Sequence, residues 1–424
     1  MKRVALETIG CRLNQYETER LAGQLAKLGL TRVDFEDAAD LYIVNTCTVT
    51  GRADASCRRA IIRAGKNERA KVVVIGCYVT ADPDKVATLN GVDLVINNEE
   101  KERTPQLLQQ YFPDLFNDPY HSLETPPISD FHRHNRAWVK IGDGCNQNCS
   151  YCIVPMVRGG IVNRAPDEII AEINNLILSG YKEVVLTGVH LGRYSYDKVA
   201  SLADLVEQIL ERTSLARLRL SSIEPQEITE NLGRTISGAG DRICRHLHIP
   251  LQSGSDRILN LMHRPYTVRK YLEAAEEMKR RIPGLIIGAD IIVGFPGETD
   301  DDFEKSVATA SSGLIDYLHV FSYSDRLGTE ASRLKEKIHS SIIKKRNEVL
   351  HRVSRDIHRR ALEREIGHWH GAISEHRAPN DKLSFGITDN FLKIQMPANS
   401  NCGKDIIKLQ VTGVVDDYMV GRPE

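Results

Sequence analysis

The first hundred residues alternate between short apolar runs and longer segments whose apolar positions recur every three or four residues. Runs rich in β-branched residues lie at 3–6, 41–44, 72–75 and 94–96, and helical periodicity marks 14–28 and 54–66. Strands separated by helices predict a parallel sheet covered by helices, because parallel neighbours need a crossover between them. The pattern breaks over 103–136, where Pro105, Pro113, Pro119, Pro126 and Pro127 predict a connecting segment with at most one short helix. It resumes with candidate strands at 137–141, 183–186, 217–220, 246–249, 285–293 and 317–321. Six βα units in succession predict a β/α barrel, whose chemistry is expected at the C-terminal ends of its strands. Over 333–365, eleven Lys and Arg face five Asp and Glu, and Leu350, Val353, Ile357 and Ala361 recur at helical spacing. This is a basic amphipathic helix, either packed on the barrel by its apolar stripe or turned toward phosphates. The last sixty residues switch to short alternating runs at 386–387, 392–395 and 406–411, which predicts a small all-β barrel.

Composition narrows the class. The chain has 424 residues, 27% charged and 41% hydrophobic, with a net charge of -1, as expected of a globular protein of several domains. No apolar run is long enough to cross a bilayer, and MKRVALETIG lacks the apolar core of a secretory leader, so a cytoplasmic location and no membrane partner are expected. Nine cysteines are an odd number for a disulfide framework, and a reducing compartment turns the question to metal or redox chemistry.

Cys145, Cys149 and Cys152 stand in Gly-Asp-Gly-Cys-Asn-Gln-Asn-Cys-Ser-Tyr-Cys, just after the first barrel strand. Structural zinc takes four protein ligands, and no fourth Cys or His stands nearby at ligand spacing. Three thiolates suit a 4Fe–4S cluster with one iron left open to an amine and a carboxylate. Cys11, Cys47 and Cys77 each follow one of the first three predicted strands. The C-terminal ends of parallel strands share one edge, so these three meet in space and form a second candidate metal site. Cys57, Cys244 and Cys402 lie off those edges and receive no role.

The CxxxCxxC spacing, with Tyr151 before its last cysteine, resembles the radical S-adenosylmethionine superfamily. Two three-cysteine sets in this order resemble the methylthiotransferases over essentially the whole chain. Supporting stretches are Tyr-Cys-Ile-Val-Pro at 151–155, Arg158-Gly159, Ser-Ser-Ile-Glu-Pro at 221–225, Pro-Leu-Gln-Ser-Gly-Ser at 250–255 and Asp-Ile-Ile-Val-Gly-Phe-Pro-Gly-Glu-Thr at 290–299. The implied fold is α/β: a flavodoxin- or Rossmann-like N-terminal sheet at 1–102, a linker at 103–136, a partial (β/α)6 radical core at 137–362 and a TRAM-like RNA-binding β barrel at 363–424.

The resemblance implies two 4Fe–4S clusters and S-adenosylmethionine as cofactors. Cys145, Cys149 and Cys152 would hold the radical cluster, and Cys11, Cys47 and Cys77 the auxiliary one. It also implies that Thr187 and Gly188 lie near the amino group of S-adenosylmethionine, and Gly294 and Pro296 near its adenine. Glu224 would accept from the ribose hydroxyls or simply begin a helix, and Gln252 and Ser253 would face the substrate. The opening Gly-Cys-Arg-Leu-Asn-Gln-Tyr-Glu-Thr-Glu at 10–19 is most similar to the branch acting on threonylcarbamoyladenosine at position 37 of tRNA. The alternatives are prenylated adenosine of tRNA and an aspartate of a ribosomal protein. Implied partners are tRNA and an electron donor such as flavodoxin or ferredoxin. The implied reaction uses one S-adenosylmethionine to methylate a sulfur on the auxiliary cluster and a second to generate the radical that activates C2 of the base. Asn163, Asp325 and Leu327 depart from the family pattern, and none lies beside a cysteine.

Overall fold

The protein was analysed as a computed structural model, which describes residues 2–116, 128, 130–197, 200–375, 384–397 and 403–424. Cys402 and three of the five linker prolines, Pro119, Pro126 and Pro127, lie outside these residues.

The N-terminal sheet is parallel and five-stranded, in the order Thr31–Val33, Arg3–Thr8, Leu41–Thr46, Lys71–Gly76, Leu94–Ile96. Its chain order is therefore 2-1-3-4-5, and the direction of winding reverses between the first and third strands, where a crevice opens above the strand ends. Leu41–Thr46 is buried along its whole length, so its apolar residues run continuously instead of alternating. This strand continues two residues past the predicted apolar run, and its polar end is paired inside. Asn45 Nδ2 donates to the Asn14 carbonyl at 2.9 Å, and the Thr46 hydroxyl donates to the Ile75 carbonyl at 2.7 Å. Helix Arg12–Lys27 starts immediately after Cys11, and helix Gly51–Ala64 is capped by the Thr50 hydroxyl. Beyond residue 102, helix Thr104–Tyr111 places Leu107 and Leu108 in the core of this first unit.

The central unit has six parallel strands at Ala137–Lys140, Glu183–Thr187, Arg217–Leu220, His246–His248, Ile286–Val293 and Tyr317–Ser322. They form two three-stranded sheets joined by a bridge between Leu218 and Ile243. The first and last strands do not pair with each other among the described residues, so the barrel is open on one side. Helix Arg12–Lys27 packs beside the first barrel strand and contributes Tyr16 to the barrel core. Helix Ser340–Arg364 buries Leu350 and Ile357 in that core while Lys344, Lys345, Arg352, Arg355, Arg359 and Arg360 stay exposed. The helix packs on the barrel by its apolar stripe and leaves its basic face exposed. Among the described residues no helix is long and apolar enough to cross a membrane.

The C-terminal unit is a closed barrel of five strands, ordered Trp369–Ser374, Ser384–Thr388, Lys393–Met396, Tyr418–Pro423, Ile406–Val415. Trp369–Ser374 and Tyr418–Pro423 were not among the predicted runs; their glycines and polar residues break the apolar alternation. This barrel docks through buried charge. Glu183, fully buried, takes Arg217 at 2.6 Å and Arg219 at 2.8 Å. The same arginines donate to the carbonyls of Gly371, Thr388 and Asp389 in the C-terminal unit. Burial alone would raise Glu183, but the two guanidiniums hold its carboxyl down at about 2.

The first and second units are fastened by Arg158, whose side chain is 4% exposed. It donates to Glu17 at 3.1 Å, to Asp143 at 2.9 Å and to the Asn14 side-chain oxygen. Lys101 and Lys140 complete the charge balance around Glu17. Burial opposes ionisation of Glu17, but these three cations hold its carboxyl well below the usual range. Arg158→Ala leaves two carboxylates short of a partner and is expected to cost about 3–5 kcal/mol, read by denaturant unfolding. Hydrogen exchange is expected to rise in 12–27 and 154–158 together; an increase confined to 154–158 would show that the arginine does not join the units.

A buried contact inside the C-terminal unit titrates. His370 lies 3.1 Å from Asp389 and 2.9 Å from Glu365. Burial opposes its charge, but Asp389 and Glu365 raise the imidazolium from 6.5 to about 9. The folded protein thus holds this proton more tightly than the unfolded chain. The stabilisation is complete below pH 6.5 and is lost as pH rises through about 9. Thermal midpoints measured across that window are expected to fall more steeply for the native protein than for His370→Gln.

Candidate active site between two cysteine sets

The CxxxCxxC loop leaves the first barrel strand through a tight turn. Gly144 has φ +71°, and a Cβ there would stand 1.9 Å from the Gly160 carbonyl oxygen, so only glycine fits. The Cys145 amide donates to the Gly159 carbonyl at 3.0 Å, and the Cys152 amide to the Cys149 carbonyl at 3.0 Å. These bonds fold the loop so that all three thiols line one cavity of about 450 Å³.

Each thiol has its own electrostatic setting. Burial pushes Cys145 up, but His190 at 3.4 Å and the Gln147 amide outweigh it and hold the thiol below its ordinary value. His190 is itself raised to about 9: burial opposes its charge, and the bonds to Cys145 and to Glu227, 2.7 Å away, prevail. Burial raises Cys149 despite the Arg264 guanidinium, which donates to its sulfur at 3.1 Å. Burial pushes Cys152 up to about 12. Arg264 also pairs with Glu224, whose burial still leaves its carboxyl above the ordinary value.

The N-terminal cysteines approach the same region from the other side. Cys11 lines the cavity with Cys145, Cys149 and Cys152. A Cβ on Gly10 would lie 2.6 Å from Cys47 Cβ and 3.2 Å from Cys47 Sγ, so glycine there lets the first and third strand ends close on each other. Burial pushes Cys47 up to about 11, with Cys11 and Cys77 adding to the rise. Cys77 packs against Ile153 and Val157, one and five residues after Cys152. Asn98 Nδ2 bridges the two units, 3.3 Å from Cys77 Sγ and 2.7 Å from the Val157 carbonyl. Asn14 sits between Cys11 and Arg158.

Of the remaining predicted site residues, Glu224 and Gln252 reach the cavity wall. Thr187 ends its strand, is 3% exposed, and its carbonyl accepts from the Ile141 amide at 2.9 Å. Gly188 packs on the Gly142 carbonyl. Ser253 was expected to face the substrate; the structure turns it inward instead, fully buried beside Ser306 and bonded by the Ser255 amide. Gly294 does have φ +78°, but a Cβ there would meet Ile343 at 2.4 Å, so its freedom serves packing of the basic helix. Pro296 is buried next to it. None of these five is among the cavity-lining residues. His190, Arg264 and Asn98 escaped sequence reasoning, since no spacing connects them to a cysteine far away in the chain.

The donor sets suit multi-iron clusters better than single ions. All six thiols are free. The ligand atoms of His248, Asp290 and His319 lie within 4.8 Å of one another, and neither cysteine set is so compact among the described residues. Sulfurs spread more widely around one volume fit a cluster with several metal atoms.

Comparison with known proteins places these features. Residues 139–310 match the radical SAM superfamily, and 3–97 match the uncharacterized protein family UPF0004. The threonylcarbamoyladenosine tRNA methylthiotransferase MtaB of Bacillus subtilis (strain 168) is 33% identical, with 100% of this chain and 96% of that protein covered. The tRNA-2-methylthio-N(6)-dimethylallyladenosine synthase of Acetivibrio thermocellus is 30% identical over 97% of this chain and 89% of its own. The radical S-adenosylmethionine methyltransferase TsrM of Kitasatospora setae shares the fold with a TM-score of 0.57 at 15% identity, over 76% of this chain and 73% of its own. With full-length relatives at this identity, and with Cys11 of the first set sharing a cavity with Cys145, Cys149 and Cys152, the chain belongs to the radical S-adenosylmethionine methylthiotransferase family.

Proposed function

We propose that this protein is a tRNA methylthiotransferase that converts N6-threonylcarbamoyladenosine at position 37 to its 2-methylthio form. The observation that carries this reading is the 33% identity to a threonylcarbamoyladenosine tRNA methylthiotransferase over the full chain. Relatives at 34% from Aquifex aeolicus and Thermotoga maritima bear the same name.

In this reading Cys145, Cys149 and Cys152 would hold a 4Fe–4S cluster that binds S-adenosylmethionine, and Cys11, Cys47 and Cys77 would hold an auxiliary 4Fe–4S cluster. When bound, the first group supplies the electron that breaks the carbon–sulfur bond of S-adenosylmethionine, and the second presents the sulfur to be transferred. The chain's own residues do the positioning. Arg264 donates toward Cys149 and opposes the burial that raises it, and His190 holds Cys145 below its ordinary value. Glu224 and Gln252, on the cavity wall, are assigned to the cofactor. Asn14, Asn98 and Arg158 hold the second cysteine set against the first. The exposed basic face of helix Ser340–Arg364 and the C-terminal barrel, assigned to 363–424 after a radical core at 137–362, offer a surface for tRNA phosphates. Residues 1–102 carry the auxiliary site, and 103–136 join it to the core. A cytoplasmic location and an external electron donor such as flavodoxin or ferredoxin complete the proposal.

Cys149→Ala is expected to abolish reductive cleavage of S-adenosylmethionine by the reconstituted enzyme, and cleavage at an unchanged rate would remove the radical assignment. Nucleoside mass spectrometry of total tRNA from cells lacking the gene is expected to show loss of the methylthio nucleoside and accumulation of threonylcarbamoyladenosine. An unchanged profile would turn the search to ribosomal protein.

A further inference from the structure

Below the cysteines, the cavity ends on polar groups that the radical chemistry does not use. Ile292 and Phe321 line its wall. Two residues down the same two strands come Asp290 and His319, which are register partners, and period-two alternation puts each pair on one face. Asp290 lies 3.0 Å from His248 Nε2 and 3.4 Å from His319 Nδ1. Burial would raise its carboxyl, but the two imidazoles hold it well below the usual range. The His319 side chain remains 52% exposed, and its Nε2 has no partner among the described residues. One rung lower, Tyr317 lies across Gly288, where a Cβ would stand 2.1 Å from the ring.

Arg12, in the N-terminal unit, stands near the Tyr317 end of this floor. It directly follows Cys11, and its guanidinium lies 5.7 Å from the Phe391 ring, which is 6.3 Å from Tyr317. Tyr317 in turn is 5.4 Å from His319. Among the described residues Arg12 has no carboxylate within ion-pair distance, although it is partly buried. Its guanidinium is a cation at neutral pH. A withdrawn guanidinium without an anion is costly unless a ligand supplies one.

We propose that Arg12, His248, Asp290 and His319 form a subsite for an anionic, hydroxylated substituent on the substrate base. Arg12 and His319 Nε2 receive the carboxylate, and Asp290 accepts from the hydroxyl or a urea N–H. The inference rests on the proposed function and deepens it, because a threonylcarbamoyl group carries these three functions and a prenyl group carries none. A prenyl substituent would strip water from the same groups and return no hydrogen bond, so the floor selects between substrates by what it leaves unpaired.

The test uses the reconstituted holoenzyme and anticodon stem-loops carrying, at position 37, threonylcarbamoyladenosine, its carboxylate methyl ester or unmodified adenosine. Equilibrium binding and kcat/KM of methylthiolation are both read. The native protein is expected to bind the free carboxylate about tenfold more tightly than the ester, as for one charged hydrogen bond. Arg12→Gln and His319→Phe are expected to remove that preference while binding the ester as the native protein does. Because Arg12 adjoins Cys11, His319→Phe, on a strand without cysteines, keeps the test valid if Arg12→Gln loses iron. Equal binding of carboxylate and ester by the native protein overturns the subsite, as does an equal loss on both ligands in the variants. If the native protein prefers the carboxylate but never methylthiolates it, the subsite stands and the proposed activity falls.

Discussion

Arg158 is the constraint on which the arrangement of the site depends. A single guanidinium satisfies a carboxylate from each of two α/β units and the side chain of Asn14, and Asn14 in turn touches Cys11. Because the group is 4% exposed, water cannot replace any of these bonds. The two units therefore meet with the C-terminal edges of both sheets turned to one cavity. Parallel strands place their ligands at that edge in each unit separately. The face-to-face meeting brings Cys11 of one edge into the cavity lined by Cys145, Cys149 and Cys152 of the other.

The opposite rim of the barrel follows the same logic with the charges reversed. There one buried carboxylate, Glu183, organises Arg217 and Arg219, and the arginines spend their remaining donors on backbone carbonyls of the C-terminal barrel. Docking by paired buried charge demands accurate geometry, since a displaced partner leaves a charge without solvent. The C-terminal barrel is thus held beside the exposed basic face of helix Ser340–Arg364 instead of being tethered loosely. Between the two rims, the barrel interior is polar at depth, with Tyr317, Asp290 and the histidines around it, and open to the cysteines above.

The elements themselves were legible because their signals are local. The six barrel strands fall where apolar runs are bounded by turns, and strand Arg217–Leu220 has the predicted bounds. Missed strands such as Thr31–Val33, Trp369–Ser374 and Tyr418–Pro423 are short or interrupted by polar residues and glycine, and only their neighbours in the sheet make them strands. The polar end of Leu41–Thr46 was missed for a related reason: Asn45 and Thr46 are buried by bonds to distant residues, not by their own hydrophobicity.

The cysteine sets were legible as well, one from its spacing and the other from strand topology. Ser253 and Gly294 show where such reasoning stops. Both follow barrel strands, yet Ser253 turns into the protein to meet Ser306, and Gly294 makes room for Ile343. Strand ends specify an edge, not a side-chain direction. Periodicity, spacing and chain order are properties of neighbouring residues, so the fold class, the three units and the two cysteine sets could be read along the chain. Which charges face which is settled by the packed chain: Arg158 to Glu17, Arg264 to Cys149, Asp290 to His319. Those pairings join residues far apart in the chain, and they depend on burial, which no local pattern records.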